Sequence, residues 1–184
     1  MTKSAKRRSG DARQRIIDAI LATRNTSRYV NKKAGIRRYL KQYFANIPYE
    51  DLEGRCEETM ARIALEHLEF GAVRREDEAL LRIYNANEKD HGYTSQYTFV
   101  EMVNDDMPFL VDSTASTIAA LGISIDRLIH PVVPVERTKD GTLRRIDEGE
   151  PEDAYWESMI YIETTRVDAK QRRALQEKLA ETLE

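Results

Sequence analysis

Cysteine is almost absent from this chain: Cys56 is the single one in 184 residues. One thiol excludes an internal disulfide and any cysteine-based zinc site. Its Arg55-Cys56-Glu57-Glu58 context holds no histidine, so a structural or surface thiol is expected rather than a nucleophile. The eight glycines are scattered and never fall into GxGxxG spacing, which excludes dinucleotide binding by that route, and neither a P-loop nor an HExxH is present. Three histidines, His67, His91 and His130, lie far apart without metal-ligand spacing. No metal and no cofactor are therefore expected in this segment. His130, placed before Pro131, reads as a hydrogen-bonded strand histidine rather than a base. No apolar run approaches the roughly 18 residues that a membrane-spanning helix needs. The basic Lys3, Lys6, Arg7 and Arg8 lead into no apolar signal segment, so a cytoplasmic protein is expected.

What is present suits one core with an appendage. The hydrophobic fraction is 41% and the charged fraction 33%, enough to bury a core beneath a heavily charged surface. The net charge of -3 hides a polarity. Residues 1–45 hold 13 lysines and arginines against Asp11 and Asp18, while the remainder holds 16 basic and 30 acidic residues. Such an arm can fold on an acidic body, or meet another acidic surface or a nucleic acid.

Taken in order, residues 1–10 form a basic tail without apolar periodicity. Residues 11–73 form a helical region, with helices expected over Asp11 to Thr23, Arg28 to Phe44 and Cys56 to Val73, and a single turn at Tyr49 to Leu52. Residues 79–184 carry the sheet. Ala79 to Tyr84 reads as a short strand and Asn85 to Ser95 as a loop. Lys139-Asp140-Gly141 reads as a hairpin turn, Asp147 to Asp153 as an exposed loop, and Trp156 to Thr164 as a strand. Asp168 then caps a helix bearing Ala174, Leu175, Leu179 and Leu183 on one face.

Gln96 to Val135 organises the whole. Tyr97 to Val103 is aromatic and β-branched with apolar residues on both faces, as an interior strand requires. Tyr93, Tyr97 and Phe99 accordingly read as core rather than as a stacking platform. Asn104, Asp105, Asp106 and Met107 form a polar turn, and Pro108 is suited to the first turn of a helix. Val111, Thr114, Ala115, Ile118, Leu121 and Gly122 give that helix one buried stripe, with Asp112, Ser116 and Thr117 facing away. Gly122 suits a left-handed end. A long strand follows from Ile123 to Val135, in which Pro131 and Pro134 imply a bulge or an edge.

Strand, acidic turn, helix and the GISI strand resemble the first half of an ACT domain, the βαββαβ module that often senses amino acids in metabolic enzymes. VNDDMPFLVDS followed by LIHPVV is similar to the N-terminal region of the large bacterial NAD-dependent glutamate dehydrogenases, in which ACT-like modules precede a distant catalytic domain. The resemblance extends back through IRRYLKQYFANIPYEDL, from Ile36 to Tyr84. It implies an α+β fold: an N-terminal helical region, then an ACT-like (ferredoxin-like βαββαβ) antiparallel sheet with helices on one face. That pattern needs one more strand beside the first. It lies beyond Glu184, in a domain truncated before its last strand, or it is supplied by Ala79 to Tyr84.

The resemblance further implies a non-catalytic regulatory or assembly segment. Glutamate would be oxidatively deaminated with NAD in domains outside it. Its partners would be other domains of the same polypeptide, further subunits of a homo-oligomer, and an amino-acid effector. ACT domains take amino acids at the strand-to-helix turn, here Asn104, Asp105, Asp106 and Met107. Free N–H groups at the helix start attract a carboxylate, and acidic side chains hold the ammonium. Phe109 stands where many ligand-binding ACT domains have glycine, and would fill the pocket. Against the ligand reading stands simple capping of the helix by Asp105 and Asp106, worth about 0.5–2 kcal/mol. The alternative class is a free-standing amino-acid sensor or a nucleic-acid-binding module using the basic residues 1–45.

Overall fold

The computed structural model describes residues 13–18, 33–45, 47, 57–146 and 155–183. The expected tail at 1–10, the turn at Tyr49 to Leu52, Cys56 and the loop at Asp147 to Asp153 lie outside the described residues. The chain forms two compact units. One is Met1–Glu76 with Pro131–Glu157, the other Asp77–His130 with Ser158–Glu184.

The first unit contains helices α1 (Lys33–Tyr43) and α2 (Glu57–Phe70) and strands β4 (Val132–Arg137) and β5 (Leu143–Ile146). Residues 13–18 are also helical. Ile36, Tyr39, Leu40, Tyr43 and Phe44 recur at three- and four-residue spacing and are all buried, as the sequence stripe requires. Met60, Ile63, Ala64 and Leu68 form the corresponding face of α2. Buried phenols need partners. Tyr39 donates to the Ala64 carbonyl at 2.8 Å, and the Tyr43 hydroxyl lies 3.1 Å from His67 Nδ1. The β4–β5 hairpin pairs Val135 with Ile146 and Glu136 with Arg145, and turns through Gly141 at φ +86°. Arg38 and Gln42 of α1 donate to the Ile146 and Val132 carbonyls.

The second unit contains β1 (Leu80–Tyr84), α3 (Glu88–His91), β2 (Tyr97–Asp105), α4 (Leu110–Ala120), β3 (Ile125–Ile129), all of β6 (Tyr155–Thr165) beyond its first three residues, and α5 (Ala169–Leu183). The strands make one six-stranded antiparallel sheet in the order β1-β2-β6-β4-β5, with β3 also paired to β6. Leu80–Tyr84 therefore takes the position beside β2, with Leu80 opposite Val103 and Tyr84 opposite Phe99. Val100 and Met102 of β2 and Ile160 and Ile162 of β6 point to one face. There they bury Leu110 and Ile118 of α4 and Leu175 and Leu179 of α5. The fold is α+β and ACT-like, with helices on one face of this unit's sheet. Alternation along two neighbouring strands builds half of that layer and two helical stripes build the other.

Asp168 caps α5 reciprocally: its Oδ1 accepts from the Gln171 N–H at 2.8 Å and its own N–H donates to Gln171 Oε1 at 3.1 Å. Gly122 is left-handed at φ +71°, one residue past Leu121, the C-cap of α4. Four expectations are corrected. The loop at 85–95 contains α3, a single turn capped by Asn87 and closed by left-handed Gly92. The long strand from Ile123 to Val135 is two strands, interrupted at His130 and Pro131, because proline cannot donate to a ladder. Thr117 faces α5, 3.0 Å from the Thr182 hydroxyl, rather than solvent. Leu121 is exposed rather than part of the buried stripe.

Candidate functional site

The acidic turn is shorter than its sequence suggests. β2 continues through Asn104 and Asp105, and Asn104 shares the parity of Val100 and Met102, which places it on the helix-covered face. It is 5% exposed, and its Nδ2 is buried without a hydrogen-bond partner. Thr114, on the same α4 stripe as Leu110 and Ile118, buries its hydroxyl without a partner as well. An unpaired buried donor or acceptor costs about 1–3 kcal/mol, so these two groups stand out in an otherwise apolar layer.

The helix does not start at Pro108. It starts at Leu110, with Phe109 as its N-cap in the left-handed region at φ +66° and with no side-chain cap hydrogen bond. Asp105 and Asp106 therefore do not cap α4, and the capping role expected for them is replaced. Phe109 does not fill a pocket either, being 77% exposed beside Met107 at 45%. A bulky residue at positive φ is costly, since its Cβ crowds the neighbouring carbonyl, and such conformations gather at functional sites.

Asp106 instead accepts a hydrogen bond from the Ser158 hydroxyl of β6 at 2.6 Å, and the same hydroxyl lies 2.9 Å from His130 Nε2. Ser158 is fully buried, His130 half-buried and Asp106 exposed, so the string runs from the surface turn into the sheet. Burial holds the His130 pKa below its ordinary value, opposed in part by the Asp106 charge. His130 is thus a hydrogen-bonded histidine, seated at the break between β3 and β4.

The opposite face of this unit's sheet carries polar groups that the sequence reading did not single out. Glu101 is buried and accepts from the Arg82 guanidinium and from the Tyr84 hydroxyl at 3.0 Å. Glu163 is buried, accepts from Tyr161 at 2.7 Å and lies 3.6 Å from Arg127 Nε. Burial, with Glu163 next to it, pushes the Tyr161 phenol well above its ordinary pKa, which keeps it a donor. Around them Tyr84 stacks on His91 at 4.7 Å, and Phe99 lies 5.9 Å from the Tyr161 ring. Phe99 is core, as expected. The available signal was a glutamate inside each of two strands that are apolar on both faces.

Among the described residues no group of three histidine, cysteine or carboxylate side chains converges as a metal site, and no helix is long and apolar enough to cross a membrane.

A central β2 followed by its turn and α4, antiparallel neighbours on both sides and two helices on one face define an ACT-like module. The sequence matches the family "Glutamate dehydrogenase, ACT1 domain" over residues 39–179, and the chain belongs to that family. It is 30% identical over 148 residues to the NAD-specific glutamate dehydrogenase of Pseudomonas aeruginosa, covering 79% of this chain and 9% of the relative. It is 29% identical over 138 residues to the NAD-specific glutamate dehydrogenase of Halomonas elongata, covering 74% of this chain and 9% of that relative. The matched region is thus a small part of the length of each relative. No solved structure matches the chain.

Proposed function

We propose that this chain is a non-catalytic regulatory and assembly segment of a large NAD-dependent glutamate dehydrogenase, with Asn104, Asp105, Asp106 and Met107 as its effector-binding turn. Oxidative deamination of glutamate and the use of NAD belong to domains outside it, and its partners are those domains and further subunits. One observation carries the effector reading: the Asn104 amide, buried and unpaired where β2 meets the turn. A bound carboxylate or carbonyl supplies the missing acceptor, while the exposed Asp106 carboxylate supplies a counter-charge for an ammonium. An α-amino acid carries both groups at short separation.

The test is thermal unfolding of the chain with each proteinogenic amino acid, NAD and nucleotides at millimolar concentration. Ligand at a hundredfold excess over its dissociation constant adds about 2.7 kcal/mol. A shift with one amino acid that disappears in Asn104→Ala supports the reading. Unchanged melting with every amino acid removes the effector role and leaves assembly alone.

A further inference from the structure

Ser158 owns one hydroxyl proton, and it is already committed to Asp106 Oδ1 at 2.6 Å. The 2.9 Å contact with His130 Nε2 must therefore draw its proton from the ring, which makes Nε2 the protonated nitrogen. The string has one polarity, from His130 through Ser158 to the exposed carboxylate of Asp106. That sense is wrong for a nucleophilic serine, whose hydroxyl must donate to an imidazole that a carboxylate orients from behind. A histidine, a serine and an aspartate in contact here do not make a hydrolase.

The placement of the three residues points elsewhere. The second unit consists of Asp77–His130 and Ser158–Glu184, so the chain leaves it at His130 and returns at Ser158. The string joins these two residues to each other and to the turn that carries Asp106. We propose that it reports the occupancy of the turn to both chain crossings by reversing its polarity. A ligand ammonium that draws the exposed Asp106 carboxylate off Ser158 frees the serine proton to donate to Nε2. The ring then gives up its Nε2 proton to water and takes one at Nδ1, with no change in charge. The proposal rests on the turn being an effector site and adds how that site is read.

The experiment is nitrogen-15 NMR of the histidine-labelled 184-residue chain, with His130 assigned by His130→Gln and His67 and His91 as internal references. Wild type is expected to show the Nε2–H form. Asp106→Ala is expected to show the Nδ1–H form, and Asp106→Asn, whose carbonyl still accepts from Ser158, to keep the wild-type pattern. A ring that stays Nε2–H in Asp106→Ala overturns the string as a polarity relay. The same spectra are recorded with each amino acid of the melting screen. Stabilisation without a change at His130 overturns the transmission and spares the effector site. If no amino acid stabilises the chain, the effector reading and the transmission fall together, while Asp106→Ala still decides the polarity.

Discussion

Arg74 donates from Nη1 to Oε1 of Glu157 at 2.8 Å, and neither side chain is more than 2% exposed. Arg137 completes the cluster, donating to Glu157 from Nε at 2.6 Å and from Nη2 at 2.8 Å, to the Gly71 carbonyl from the same Nη2 and to the Gly141 carbonyl from Nη1. One carboxylate thus compensates two guanidinium groups. Glu157→Gln removes the carboxylate charge that both contact, and a buried pair broken on one side loses about 3–5 kcal/mol. The urea midpoint should fall accordingly. Glu136→Gln, which loosens the exposed contacts with Arg144 and Arg145, should change stability by about 0–1 kcal/mol. Equal effects of the two substitutions would refute the buried-cluster account.

Gly141 separates two demands that glycine can meet. A Cβ there would stand 2.5 Å from the Arg74 carbonyl oxygen, and the backbone is at φ +86°. Gly122, at φ +71°, has nothing within 4 Å of its Cβ position. Gly122→Ala should therefore cost only the left-handed penalty of about 1–2 kcal/mol. Gly141→Ala should cost clearly more, because it also pushes Arg74 off the Gly141 carbonyl, to which its backbone N–H donates at 3.0 Å. Paired melting curves decide this. Similar losses would show that close approach contributes nothing.

Local chemistry made some of this legible in advance and hid the rest. Asp168 with Gln171 three residues later is a complete local signal, and the reciprocal cap formed as written. Tyr97 to Val103 announced an interior strand because apolar residues on both faces have no other use. Two runs of apparent turn chemistry misled. Asn104 and Asp105 look like a turn, yet both are extended as the last two residues of β2. Pro108 looks like a helix start, yet the first helical residue is Leu110. The Asp106, Ser158 and His130 string was invisible because its members are 24 and 28 residues apart along the chain and meet only once β6 pairs with β3. Glu101 and Glu163 were read past because a lone glutamate in an apolar strand gives no hint of which arginine answers it.

The His130 shift gives a pH dependence of definite sign. Its folded pKa lies below the ordinary 6.5 through burial, so near that pH the unfolded chain binds a proton that the folded chain does not. Stability from this group is fully present above about 6.5 and is lost as pH falls toward the folded value. Urea midpoints measured from pH 7.5 downward should therefore drop more steeply in wild type than in His130→Gln. A wild-type profile parallel to the variant's over that window would contradict the assignment.

Phe109 offers the sharpest contrast between an aromatic kept for packing and one kept for something else. Its backbone sits at φ +66° and its ring is 77% exposed, so it adds little burial in this chain and carries the left-handed penalty of about 1–2 kcal/mol. Phe109→Gly relieves that penalty and costs about 0.5–1 kcal/mol in chain entropy, so the melting temperature should hold or rise slightly. Phe99, 2% exposed between Tyr84 and Tyr161, should lose about 3–5 kcal/mol on change to alanine. If Phe109→Gly destabilised the chain as much as Phe99→Ala, the exposed position of Phe109 would be wrong. If stability holds, the strained and exposed ring is free to serve a contact outside the fold. Comparing the sedimentation of Phe109→Gly with wild type over a concentration series then asks whether a second copy supplies that contact.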